Sequence, residues 1–107
     1  MKLLVNTVLT DIAGEPLKLG TPEKPENMTL SHVLVQIALQ APPPGGKPYT
    51  PEEQIQRYHL ALDAHKARET APYEIQIAAK VVEQLREDIS RSYGPIVAGQ
   101  VLLLLGP

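Results

Sequence analysis

The chain has 107 residues, enough for a single domain, and its core must be aliphatic because there is no Phe, no Trp and only four Tyr. It has no cysteine, so disulfides, thiolate metal sites and a cysteine nucleophile are excluded by chemistry. Ten Lys/Arg against twelve Asp/Glu give a formal charge of −2, and the cations are scattered from Lys2 to Arg91 rather than gathered into the stripe that a strong phosphate-binding surface needs.

The opening MKLLVNTVLT has no small-residue cleavage site, so it reads as the start of a mature, cytoplasmic chain rather than a secretory signal. From Lys2 to Thr10 the pattern has a period of two, with Leu3, Val5, Thr7 and Leu9 on one side, which predicts a strand. DIAGEP then supplies turn residues and Leu17 to Leu19 can return, giving an N-terminal hairpin over 2–19. The prolines and charges of GTPEKPEN, Gly20 to Asn27, predict an exposed connection.

Thr29 is placed to cap a first helix over about 30–40, in which Leu30, Val33, Leu34 and Ile37 recur at helical spacing. APPPGGKP stops it and makes residues 42–49 a stiff-then-loose loop that suits a partner-facing role. In YTPEEQ, Thr50, Pro51 and Glu53 form a capping box that starts a second helix over 51–67, with Ile55, Tyr58 and Leu62 on one face. Tyr73, Ile75 and Ile77 alternate with Glu74 and Gln76, predicting a short strand that joins the hairpin. A third helix over 78–93 turns Val82, Leu85 and Ile89 inward and leaves a solvated face with Glu83/Arg86 and Glu87/Arg91 pairs.

Gly94-Pro95 breaks that helix and opens a last one over 95–105, apolar nearly all round, with Gln100 as its clearly polar side chain. Ile96 to Leu105 is ten residues, and crossing a bilayer takes roughly twenty. Such a helix is expected to be buried on every face, either centrally in the domain or shared between subunits, and a small domain surrounds a helix with difficulty, so Val101, Leu102, Leu103 and Leu105 are the candidate self-association residues; a helix in a groove of its own domain with one side imperfectly covered is the alternative. The expected fold is α+β: one domain over 1–107, with a small antiparallel sheet of the N-terminal hairpin plus one short strand, packed with about four helices.

No constellation in this sequence carries catalysis. His59 and Asp63 share a helical face but lack a third ligand, and His32 reads as a satisfied polar position. Glu52 and Glu53 are explained by capping. Ser31 and Ser90 sit in no nucleophile elbow, and PPPGGK closes neither a dinucleotide fingerprint nor a phosphate-binding loop. No enzyme, metal or cofactor is expected. Nucleic-acid binding would require folding to gather Arg57, Lys66, Arg68, Arg86 and Arg91 with Tyr49, Tyr58, Tyr73 and Tyr93 on one surface. The acidic helix surface Glu83, Glu87 and Asp88 is the candidate partner-binding site, able to compete for a basic groove, with plain solubilisation as the ordinary alternative.

The order of pieces, from the opening strand with DIAGEPL through MTLSHVLVQIAL, EEQIQRYHLALDAH and YEIQIAAKVVEQLREDI to SYGPIVAGQV, resembles small accessory proteins of tailed bacteriophages and prophages. PPPGG and LLLLGP depart from that pattern. The resemblance implies a non-enzymatic protein that acts by protein–protein binding in the host cell. Its leading form is an inhibitor or modulator of a host complex, such as an anti-defence or anti-CRISPR protein. A virion or tail assembly factor or subunit is the alternative, and a nucleic-acid-binding accessory protein comes third.

Overall fold

The computed structural model describes Lys2 to Gly106. Over the described residues the chain forms four helices and two small antiparallel sheets of two strands each, an α+β domain. Strands β1 (Lys2–Leu4) and β4 (Glu74–Gln76) pair with Leu3 opposite Ile75, so the buried residue of each strand meets the other on the core side. Strands β2 (Lys18–Thr21) and β3 (Lys24–Asn27) form a hairpin that lies largely in solvent.

This divides the strands differently from the single sheet that the alternation predicts. The Thr7 backbone N–H and hydroxyl both donate to the Leu4 carbonyl, turning the chain where one strand from Lys2 to Thr10 was expected. The DIAGEP turn forms, with Thr10 bridged to Pro16 and the Asp11 carboxylate accepting from the backbone of Ala13 and Glu15. Before the kink, however, β1 pairs with β4 rather than with the returning segment. Leu9, Leu17 and Met28 close a backbone junction instead, Leu9 donating to Met28 at 2.8 Å, Leu17 to Leu9 at 2.9 Å and Met28 to Leu17 at 2.7 Å. The Gly20 to Asn27 stretch, expected to be a simple connection, supplies β3 and the hairpin turn. Gly20 sits there at φ +88°, and an added Cβ would lie 2.7 Å from the Lys24 carbonyl oxygen.

Helix α1 (Leu30–Ala38) buries Leu30, Val33, Leu34 and Ile37. Helix α2 (Pro51–Ala67) starts at the Thr50 cap, whose hydroxyl accepts from the Glu53 N–H while the Glu53 carboxylate accepts from the Thr50 N–H, each at 3.2 Å. The inward side of α2 is not the Ile55, Tyr58 and Leu62 face: Ile55 and Tyr58 are exposed, and Ala61 and Ala64 are buried instead. Small side chains let α2 lie close to α1, and the Ser31 hydroxyl donates to the Ala64 carbonyl at 2.7 Å across that contact.

Helix α3 (Ala79–Ser92) buries Val82, Leu85, Asp88 and Ile89, and α4 (Pro95–Leu105) packs beside it. All four helices and the β1/β4 pair contribute to one aliphatic core, whose fully buried side chains include Leu9, Leu34, Ile37, Leu85, Ile89 and Val101.

Candidate protein-binding surface

Two of the three acidic candidates reach solvent. Glu83 and Glu87, one turn apart on α3, are exposed. Asp88 is not available to a partner: it is buried, and its carboxylate accepts from Arg57 Nη2 at 2.6 Å and from Arg91 Nη2 at 2.5 Å. Glu83/Glu87/Asp88 as one acidic surface is therefore corrected to Glu83 and Glu87. The reason is geometric, since residue 88 follows Leu85 and precedes Ile89 on the core-facing side of α3.

The expected Glu83/Arg86 and Glu87/Arg91 pairs do not form. Arg86 Nη1 donates to the Gly106 carbonyl, closing the C-terminal end of α4, and Arg91 turns to Asp88. Glu83 and Glu87 consequently have no ion-pair partner among the described residues. They line an open groove of about 550 Å³ between α3 and α4, together with Arg86, Ser90, Arg91 and Leu102. With two arginines beside the two carboxylates, the groove is bipolar rather than strongly negative. Its free bonding capacity lies in the two carboxylates beside an apolar wall.

The self-association candidates on α4 also separate. Val101 and Leu105 are buried in the core and Leu102 is half-buried against it, whereas Leu103 is 83% exposed. Within the single chain α4 is not surrounded: the helix lies on the domain with Ile96, Leu103 and Leu104 facing outward. Gln100 is half-buried and accepts from the Thr10 N–H at 2.9 Å while donating to the Thr10 carbonyl at 2.6 Å. That clamp ties Thr10, the residue before the Asp11–Glu15 turn, to α4. Ile12, 96% exposed, projects from the turn, and no pattern in the sequence distinguished it from ordinary turn residues.

The arginines and the two candidate serines make bonds within the fold, although the buried Nε atoms of Arg57 and Arg68 have no partner among the described residues. All four arginines of the chain are bonded internally: Arg57 also donates to the Ile37 carbonyl and lies 4.1 Å from the centre of the Tyr49 ring, and Arg68 contacts His32 Nε2 and His65 Nδ1. Ser31 and Ser90 spend their hydroxyl protons on helix carbonyls. His59 and Asp63 line a second open groove with Ile55, Leu60, Gln76 and Val81, and no group of three or more metal-ligating side chains occurs among the described residues.

His32 occupies the position of a capping-box acceptor. Its Nδ1 accepts from the Thr29 N–H at 3.0 Å and lies 2.9 Å from the Thr29 hydroxyl, while Nε2 faces Arg68 Nη1 at 2.7 Å and Glu26 at 3.7 Å. Burial, then the Arg68 charge, hold its pKa below the ordinary 6.5, with Glu26 opposing them.

The site and fold define a small α+β domain with a bipolar groove beside Leu102 and an outward-facing apolar helix flank. Comparison with protein-family models, curated proteins and solved structures gave no match. Among the described residues, no helix is long and apolar enough to cross a membrane.

Proposed function

We propose that this protein acts by protein–protein contact and not by catalysis, as a phage-type accessory protein that binds and inhibits or modulates a host complex in the host cytoplasm. The supporting observation is the α3–α4 groove, where Glu83 and Glu87 keep free carboxylates beside Leu102 while Arg86 and Arg91 are bonded elsewhere. Carboxylates at i and i+4 stand side by side on a helix, so the groove suits a partner segment that sets Lys or Arg next to an apolar anchor. The exposed α4 flank favours a second reading, a subunit or assembly factor of the virion or tail.

The test is a paired pull-down from infected cells with the wild-type chain and a Glu83→Gln/Glu87→Gln variant, read by mass spectrometry. A host complex held by the wild type, released by salt and lost by the double variant supports the inhibitor reading. Phage structural proteins held equally by both chains would replace it with the assembly reading.

A further inference from the structure

We propose that a second copy of this chain docks on the outer flank of α4, with two antiparallel α4 helices crossing at Gly99. The flank is a single line along the helix. Ile96, Gly99 and Leu103 stand at i, i+3 and i+7, opposite the core-facing Ala98, Val101 and Leu105, with Ile96 48% and Leu103 83% exposed. The midpoint of Ile96 and Leu103 falls beside Gly99. A two-fold axis there sets Ile96 of each copy against Leu103 of the other, about 10 Å apart along the helix.

Charge selects the occupant. From Ser92 to Pro107 the sequence has no Asp, Glu, Lys, Arg or His, whereas the exposed faces of α2 and α3 are rich in them. A charged partner surface laid on this flank would lose hydration without gaining an ion pair. A second α4 brings the same uncharged line, so neither copy desolvates a charge. Gly99 suits the crossing point because a Cβ built there meets nothing within 4 Å, leaving room for the partner helix to approach.

A seam of one short helix is smaller than the roughly 800 Å² per partner of a standard interface. The dimer is therefore weak and concentration-dependent. This pairing uses a different flank of α4 from the groove of Glu83, Glu87 and Leu102, and it stands whether or not the groove reading does.

The test is sedimentation equilibrium over a concentration series, with circular dichroism and thermal unfolding to follow the monomer. The wild type should pass from monomer to dimer, and Leu103→Glu should weaken the dimer about tenfold or more while keeping the helical spectrum. Gly99→Ala separates fold from interface, since it improves helix propensity, and so should raise the melting temperature of the monomer while weakening the dimer. The register is read by mixing Ile96→Cys and Leu103→Cys chains, which have no other thiol, under oxidation. Mixed disulfides should exceed either symmetric product. A wild type that stays monomeric throughout, a dimer untouched by Leu103→Glu, or a predominance of symmetric disulfides would each overturn the proposal.

Discussion

Arg57 and Asp88 join α2 to α3 through a 2.6 Å hydrogen-bonded ion pair whose two side chains are 13% and 9% exposed. The same guanidinium donates to the Ile37 carbonyl near the end of α1 and stacks on Tyr49, so one side chain fastens three helices and the end of the Pro/Gly loop. Asp88 answers with its second oxygen to Arg91, which is itself half in solvent. An acid that reads from the sequence as part of a charged surface is thus an internal tie.

Removing that tie leaves Arg57 buried without a counter-charge. Asp88→Ala should lower unfolding stability by about 3–5 kcal/mol, whereas Arg91→Ala, the exposed partner, should cost no more than about 1 kcal/mol. Glu83→Gln and Glu87→Gln should stay within about 0.5 kcal/mol of wild type. Urea unfolding monitored by circular dichroism measures all four, and a neutral Asp88→Ala would remove the structural assignment.

His32 makes stability depend on pH with a definite sign. Its folded pKa lies below the unfolded 6.5, so between those values the unfolded chain binds more protons and protonation favours unfolding. The contribution is present above 6.5 and is lost as pH falls toward the folded value. Protonation would also place a proton on Nδ1 against the Thr29 N–H and a full charge beside Arg68, with only Glu26 to offset it. His32→Gln keeps an acceptor in the capping position without the titration. Its unfolding midpoint should decline less than that of wild type between about pH 7 and about pH 5, and parallel declines would place the dependence on other groups.

Gln100 supplies both halves of a backbone partnership to Thr10. Gln100→Met fills similar space but satisfies neither group, and it should cost about 1–3 kcal/mol, the usual penalty for stranding such atoms. The amide of Thr10 should then exchange with deuterium markedly faster while that of Val101, in the core, changes little. Unchanged Thr10 protection would mean that the turn holds itself in place.

Gly20→Ala should open the β2/β3 hairpin, because a Cβ at φ +88° meets the Lys24 carbonyl at 2.7 Å. The hairpin is largely exposed, so cross-strand nuclear Overhauser contacts such as Leu19 to Glu26 should vanish while core resonances persist. Persistence of the hairpin contacts would show that the turn accommodates a side chain.

Local chemistry made much of the fold legible. The Thr50-Pro51-Glu53 signal starts α2, the proline and glycine breaks separate the helices, and Leu30, Val33, Leu34 and Ile37 trace the buried stripe of α1. Each rests on interactions within a few residues. The alternation at Glu74–Gln76 made a strand joining the N-terminal segment legible, and β4 pairs with β1; that β1 forms no hairpin with the returning segment was not legible, because the Thr7 turn, which ends β1, depends on a side chain choosing a carbonyl. The inward face of α2 was misjudged for a related reason: apolar character pointed to Ile55 and Tyr58, but close approach to α1 favoured Ala61 and Ala64.

The candidate surfaces divide along the same line. The sequence by itself determined that the chain has no thiol, that charge is absent from its last sixteen residues, and that Glu83 and Glu87 share a helix face, because these follow from residue identity and helical period. Only the tertiary structure decided that Asp88 is an internal counter-ion, that all four arginines are bonded within the fold, and that Leu103 faces out while Val101 faces in. Those outcomes depend on which elements become neighbours, and the burial of a charge or an apolar side chain is settled by what packs against it.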